Sequence, residues 1–188
     1  IFCGGPWSGK LLNDLGVKLT VTRQVMGWVW PPADVLDELR LGRLPVWGIE
    51  ADGGLFYGFP MTPGEGVGFK SALHAPGQVT DPDGVAREPM SGDEEQFRGP
   101  LRRFLPRCDG SVTSMRVCLY TNSPDSDFII DRHPLHERVT IACGFSGHGF
   151  KFASVVGEVL ADLTTESGTR HPVGFLGLDR FGGSDIPV

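Results

Sequence analysis

The stretch Val139–Leu163, VTIACGFSGHGFKFASVVGEVLADL, decides the fold. Val139 to Ala142 are apolar or β-branched and read as a short buried strand. Gly144, Gly147 and Gly149 follow as a turn that lets the backbone come close to whatever lies above it. From Phe152 the apolar residues Val155, Val156, Val159, Leu160 and Leu163 keep helical spacing, for about four turns of helix. A helix starting there turns N–H groups and the positive end of its dipole outward. Lys151 adds a full positive charge at the end of the helix where propensity alone would not place it. The unit suits an anionic ligand or a developing negative charge, although the same pattern also arises where a helix only packs on a sheet.

The 188 residues are enough for one core or two small lobes, and 40% hydrophobic with 21% charged residues is ordinary for a globular chain. A net charge of −6 and the lack of any Lys/Arg-rich stripe argue against a nucleic-acid partner. No apolar run approaches membrane-spanning length, so no membrane partner is expected. Cys3, Cys108, Cys118 and Cys143 show no paired or metal-ligand spacing, so reduced thiols, a cytoplasmic protein and no metal are expected. The chain opens at Ile1 in what looks like the end of a buried strand, which suggests that something upstream has been removed.

After that strand end, Ser8 to Leu15 reads as a helix closed by Gly16. Val17 to Trp30 alternates as a strand and stops at Pro31-Pro32. Leu44 to Ile49 and Gly54 to Phe59 flank an Ala-Asp-Gly-Gly turn, a hairpin signal. Met61 to Gly66 is a loop, Val67 to His74 a strand, and Ala75 to Pro89 a proline-rich loop. Ser91 to Phe104 reads as a helix with a Ser cap, early acids and late arginines. Ser111 to Thr121 and Phe128 to Ile130 are strands, and the residues after Gly168 are irregular. This order fits an antiparallel sheet with one helix, inserted between two pieces of an α/β domain. The expected divisions are residues 1–19, 20–123 and 124–188.

Alternation places Arg116, Cys118 and Tyr120 on one face of their strand, where a cation and a phenol can make the thiol reactive; a buried, inert cysteine is the plainer reading. Lys70 and His74 share a face across the small Ala72, leaving room for a ligand, or else form the wet side of a half-buried sheet. His148 sits in the glycine turn, where it either meets a ligand or caps backbone groups. His133, His136 and His171 read as surface residues, and Asp125, Asp127 and Asp131 show no partner. No Ser-His-Asp or Cys-His-Asn set emerges.

Taken together, RVCLYTNSPDSDFIIDRHP (116–134), VTIACGFSGHGFKFASVVGEVLADL, YGFP (57–60), GFKSALH (68–74), DPDGVARE (81–88), GGPW (4–7) and VTRQV (21–25) closely resemble the C-terminal part of the monomeric sarcosine oxidase family. That family, with N-methyltryptophan and pipecolate oxidases, falls among the flavoproteins resembling D-amino-acid oxidase. The resemblance covers nearly the whole chain and weakens after about Gly168. It implies a partial Rossmann-like FAD domain interrupted by an antiparallel-sheet substrate domain. The implied activity is oxidation of the C–N bond of a secondary amino acid by FAD, with oxygen reduced to hydrogen peroxide.

The resemblance also implies roles. Cys118 matches the cysteine that bonds covalently to the flavin. Tyr120 and Tyr57 look like substrate-pocket tyrosines, and His74 like the histidine near the substrate amine. Lys70 matches the lysine that speeds the oxygen reaction, and Lys151 the lysine that binds the substrate carboxylate. Gly4, Gly5, Trp7, Gly144, Gly147, His148, Gly149 and Lys151 resemble segments beside the cofactor. The GxGxxG dinucleotide fingerprint is not in this sequence, and neither is the arginine expected to pair with Lys151. The expectation is therefore that the 188 residues need the N-terminal portion of the same protein and bind FAD poorly alone. A flavin-free scaffold and a flavin dehydrogenase are the competing readings.

Overall fold

The computed structural model describes residues 1–62, 68–166 and 168–182. Its helices are α1 (Ser8–Leu11), α2 (Asp93–Phe104) and α3 (Ala153–Thr165). Its strands are β1 (Thr20–Trp30), β2 (Trp47–Ala51), β3 (Gly54–Phe59), β4 (Phe69–Ala75), β5 (Gln78–Val79), β6 (Ser111–Asn122), β7 (Ile129–His133) and β8 (His136–Cys143). The chain forms two compact units. One is Ile1–Thr22 together with Leu119–Val188, and the other is Arg23–Cys118. The mixed helix-and-sheet class with antiparallel pairing agrees with the sequence reading.

The continuous unit is built on the sheet order β2-β3-β4-β1-β5, with β6 also paired to β1. The hairpin β2–β3 closes at Asp52 and Gly53, both at positive φ (53° and 73°), the conformation a two-residue turn between twisted strands requires. Phe97 and Leu101 of α2 are fully buried in a core with Val29, Val35, Leu39 and Phe69. A Cβ at Gly27 would lie 2.2 Å from the Phe97 ring, so glycine is what lets α2 reach the sheet there. Each such buried side chain contributes about 1.5–3 kcal/mol.

Arg23 and Asp93 join the sheet to α2. Their side chains are 4% exposed each and meet at 2.8 and 2.7 Å as a two-pronged pair. Arg23 also donates to the carbonyls of Ala86 and Glu88, and Asp93 accepts the Met90 N–H. The expected Ser91 cap is absent; Gly92 at φ 93° precedes the helix, and no side chain caps it. Asp93 is instead spent on the arginine.

In the discontinuous unit β7 and β8 pair antiparallel, and Phe2 bridges Ile141 in parallel. The first helix is shorter than expected. A 3-10 turn, Gly5–Trp7, leads into α1, which stops at Leu11 because Leu12 and Leu15 turn down into a core with Ile129, Ile141 and Cys143. On β8, α3 packs Val159 and Leu160 against Phe128, Ile130 and Ala142. Three of the residues expected on the surface or without partners behave otherwise, while His136 is exposed as expected. His133 is 3% exposed and bonded to Asp14, Asp125 pairs with Arg180 at 2.7 Å, and Asp131 accepts the Leu178 N–H. The expected loop Met61 to Gly66 lies mostly outside the described residues, as do Val67 and residues 183–188.

Two stability outcomes follow from these pairs. Asp93→Asn leaves a buried guanidinium without its counter-charge and should cost about 3–5 kcal/mol by urea denaturation. An effect below 1 kcal/mol would mean that the pair is not buried in solution. Arg180 holds the Asp125 carboxyl down at about 2 from its usual 3.8. A carboxylate depressed on folding stabilises above its unfolded value, and that contribution disappears as pH falls from about 4 to about 2. Arg180→Met should therefore lose about 1 kcal/mol or less at pH 7, the pair being partly exposed, and the deficit should shrink toward pH 2.

Candidate functional site

In the antiparallel sheet the side chains of one strand alternate between its two faces. On β4, Phe69 and Ser71 point to the α2 side, where Ser71 Oγ donates to the Phe97 carbonyl at 2.9 Å. Lys70, Ala72 and His74 therefore share the other face. The register sets Lys70 between Phe59 on β3 and Trp28 on β1, and sets Ala72 between Tyr57 and Met26. Three rings consequently surround one ammonium. Lys70 Nζ lies 4.9 Å from the centroid of Phe59, 5.3 Å from Tyr57 and 5.6 Å from Trp28. Tyr57 also meets His74 edge-on at 6.0 Å, and Gln24 Nε2 donates to the His74 carbonyl at 3.2 Å.

The same unit carries Cys118, half-buried on β6. Burial pushes its thiol up, and the Lys70 charge pulls it down. Reciprocally, burial lowers the Lys70 ammonium, and the Cys118 thiolate raises it. A thiolate and an ammonium thus favour each other's charged form in a setting that disfavours either alone. The other cysteines differ: Cys3 is exposed, while Cys108 and Cys143 are buried, Cys143 being pushed up to about 12 mainly by desolvation. Among the expected site residues, Tyr57, Lys70, His74 and Cys118 all belong to this unit.

The remaining expected residues lie in the discontinuous unit. A 3-10 turn, Phe150–Phe152, opens the run into α3, and no side chain caps either. Lys151 is exposed there, with its Nζ 5.2 Å from the Phe152 ring, and it borders an apolar hollow of about 370 Å³ floored by Phe128, Val155 and Val156. The glycines of the turn have packing reasons of their own. Gly147, at φ 81°, lies against Tyr120, whose ring a Cβ would meet at 2.2 Å, and a Cβ on Gly149 would meet Phe145 at 2.5 Å. A Cβ at Gly144 would meet Ser123 at 3.1 Å. His148 bonds through Nε2 to the Ser126 carbonyl at 3.0 Å and lies against the Phe128 ring. At the start of the chain, Gly4 precedes the 3-10 turn containing Gly5 and Trp7, and open space faces Gly5.

Among the described residues, Asp14, His133 and His136 are close enough to suggest a metal, their ligand atoms lying within 4.8 Å of one another. The Leu135 N–H donates to His133 Nδ1 at 3.2 Å, so the ring proton sits on Nε2 and is given to Asp14 at 3.0 Å. A nitrogen that must donate toward the group is not a ready metal ligand. The three form a hydrogen-bonded His–Asp pair with His136 beside it.

A family model described as FAD dependent oxidoreductase matches residues 1–163. The chain belongs to that family. It is 41% identical over 176 residues to a monomeric sarcosine oxidase of Streptomyces avermitilis, covering 93% of this chain and 46% of that protein. It is 36% identical over 185 residues to an N-methyl-L-tryptophan oxidase of Escherichia coli, and 31% identical over 195 residues to the peroxisomal sarcosine oxidase of Homo sapiens; in both cases it covers 96% of this chain and 47% of the relative. The chain thus spans about half the length of the relatives it matches. A fructosamine oxidase of Aspergillus fumigatus superposes with a TM-score of 0.71 at 23% identity, over 94% of this chain and 43% of that one, which shows the fold. The resemblance to sarcosine oxidases and their relatives read from the motifs therefore holds.

FAD is the group these residues have to fit. Within the continuous unit, Cys118 with a cation and aromatic walls suits a flat redox-active ring such as that of FAD. Two residues that sequence reading passed over, Trp28 and Phe59, complete the walls. Phe59 follows Tyr57 by two in one strand, so the signal for it was present; Trp28 needed the register of β1 against β4.

Alkylation should separate the thiols: Cys3 reacts first with iodoacetamide, Cys118 next, and Cys108 and Cys143 only on unfolding. Lys70→Met should move the Cys118 reaction to higher pH, because the opposing charge is gone. An unchanged profile would separate the two groups.

Proposed function

We propose that this chain carries the substrate-facing and flavin-ring-facing residues of an FAD-dependent oxidase of secondary amino acids, N-methylated or cyclic. The observation that carries this reading is the Lys70 ammonium held among three rings in the unit that also holds Cys118, Tyr57 and His74. FAD, when bound, would accept a hydride equivalent, two electrons with one proton, from the CH–NH group of the substrate and pass the two electrons on to oxygen. The net change removes two electrons and two protons from the amine, leaving C=N, and turns oxygen into hydrogen peroxide. Water then cleaves the imine to a carbonyl compound and an amine.

Each residue has a physical task in that scheme. Lys151, exposed beside the α3 segment, pairs with the substrate carboxylate. Tyr57, Tyr120 and His74 orient the substrate amine; the edge contact of Tyr57 with His74 restrains both rings. Lys70 supplies a fixed positive charge where oxygen gains its first electron, and a partly desolvated cation stabilises such a charge more than a hydrated one does. This charge favours an oxidase over a dehydrogenase. Cys118 is the residue that would hold the flavin through sulfur, its thiolate being favoured by Lys70. Gly4, Gly5, Trp7, Gly144, Gly147, His148 and Gly149 shape the cofactor-side backbone. Residues 1–19 and 124–188 belong to the flavin domain in this reading, and residues 20–123 to the substrate domain. The setting is cytoplasmic.

The phosphate-cradling GxGxxG loop is not among these 188 residues, so the chain by itself should bind FAD weakly and turn over no N-methyl amino acid. Flavin fluorescence titration and a peroxide assay test this, and tight binding with full turnover would refute it. For the yellow protein from its natural source, acid precipitation should leave flavin on the polypeptide, and Cys118→Ser should release it. Flavin that washes out of the unaltered protein contradicts the role of Cys118, and a colourless protein favours a flavin-free scaffold.

A further inference from the structure

The three rings around Lys70 are more than a lining. Lys70 stands in the middle of a lateral row, Phe59–Lys70–Trp28, fixed by the pairing of β3, β4 and β1, with Tyr57 diagonal to it. A lysine carries four rotatable bonds and ordinarily spreads over many rotamers. Here its ammonium lies within 4.9 to 5.6 Å of three ring centroids, inside the range in which ring faces attract a cation. Two opposed effects meet at that nitrogen. Burial disfavours the charge, while the ring faces and the Cys118 thiolate favour it. Phe59 is 41% exposed, a large apolar surface whose contact with the Lys70 ammonium gives it a task.

We propose that Trp28, Tyr57 and Phe59 form an aromatic clamp that holds the Lys70 ammonium on one spot of the sheet face, making Trp28 and Phe59 positioning residues for the oxygen step. This rests on the role given above to Lys70. Neither residue needs to touch oxygen or substrate. Each acts by confining the cation, so that little of its freedom remains to be lost when negative charge develops beside it. The clamp also explains why Ala72 follows on the same face: a larger side chain between Lys70 and His74 would crowd Tyr57, its neighbour across the strand pair.

The test has two readouts. In the 188-residue chain, which has four lysines, the ε-CH₂ protons of Lys70, assigned through Lys70→Met, should resonate upfield of those of Lys10 and Lys18. Phe59→Leu and Trp28→Leu should each move them back, while Phe59→Tyr and Trp28→Phe should keep the shift. In the flavin-loaded protein, the two Leu variants should lower kcat/KM for oxygen about tenfold and more than kcat/KM for the amine, with the conservative variants recovering most of the loss. Combining either with Lys70→Met should add nothing further. An ordinary Lys70 resonance overturns the clamp. So do Leu variants with normal oxygen kinetics while Lys70→Met is slow, and in that case the role of Lys70 stands. If Lys70→Met itself reacts normally with oxygen, the functional reading of Lys70 fails and the clamp role falls with it.

Discussion

The constraint on which the candidate site depends is the register of three antiparallel strands. With Phe59 opposite Lys70, and Lys70 opposite Trp28, the alternation of side chains leaves no freedom over which residues share a face. A slip of one residue in either pairing would carry Lys70 and His74 to the α2 side, where Ser71 and Phe69 now fill the core. The register is guarded from that side. Gly27 accepts the Phe97 ring, and Gly58 lies so close to Trp47 that a Cβ there would come within 2.3 Å of its ring. Chemistry on one face is thus fixed by packing on the other.

The buried Arg23–Asp93 pair serves the same end. It joins β1 to the start of α2 and, through the carbonyls of Ala86 and Glu88, ties down the long proline-containing connection after β4. A bidentate pair at this depth brings little net stability compared with an apolar filling, but once present it tolerates no loss of one partner. What it specifies is the direction in which α2 leaves the loop. The acidic first turn and basic last turn of α2 agree with the helix dipole, so local and tertiary preferences point the same way.

Much of this was legible in the sequence, and what was not has physical causes. Alternation alone showed Lys70 with His74, because a strand has period two wherever it pairs, whereas the cation that acts on the Cys118 thiol is Lys70 and not the Arg116 its own strand suggested. The Asp-Gly hairpin and the strand–turn–helix run at Val139 were also plain. The third wall of the clamp was hidden, since Trp28 meets Lys70 only through pairing between strands about forty residues apart. Ser91 looked like a cap, and Asp93 like a favourable first-turn acid, because no local pattern reveals that a distant arginine will claim the carboxylate. His133 read as a surface residue beside a proline turn; its burial follows from the Asp14 hydrogen bond, made across 119 positions of sequence. Sequence thus shows which faces exist, and long-range pairing decides what meets on them.

The proposed point of flavin attachment is Cys118, in the unit where Lys70 and its rings lie. The most direct measurement is mass spectrometry of tryptic peptides from the protein purified from its natural source without removal of cofactor. The peptide Val117–Arg132, released by cleavage after Arg116 and after Arg132, should carry the mass of FAD on Cys118 and absorb in the visible. Recovery of that peptide unmodified, with the flavin free or attached elsewhere, would contradict it.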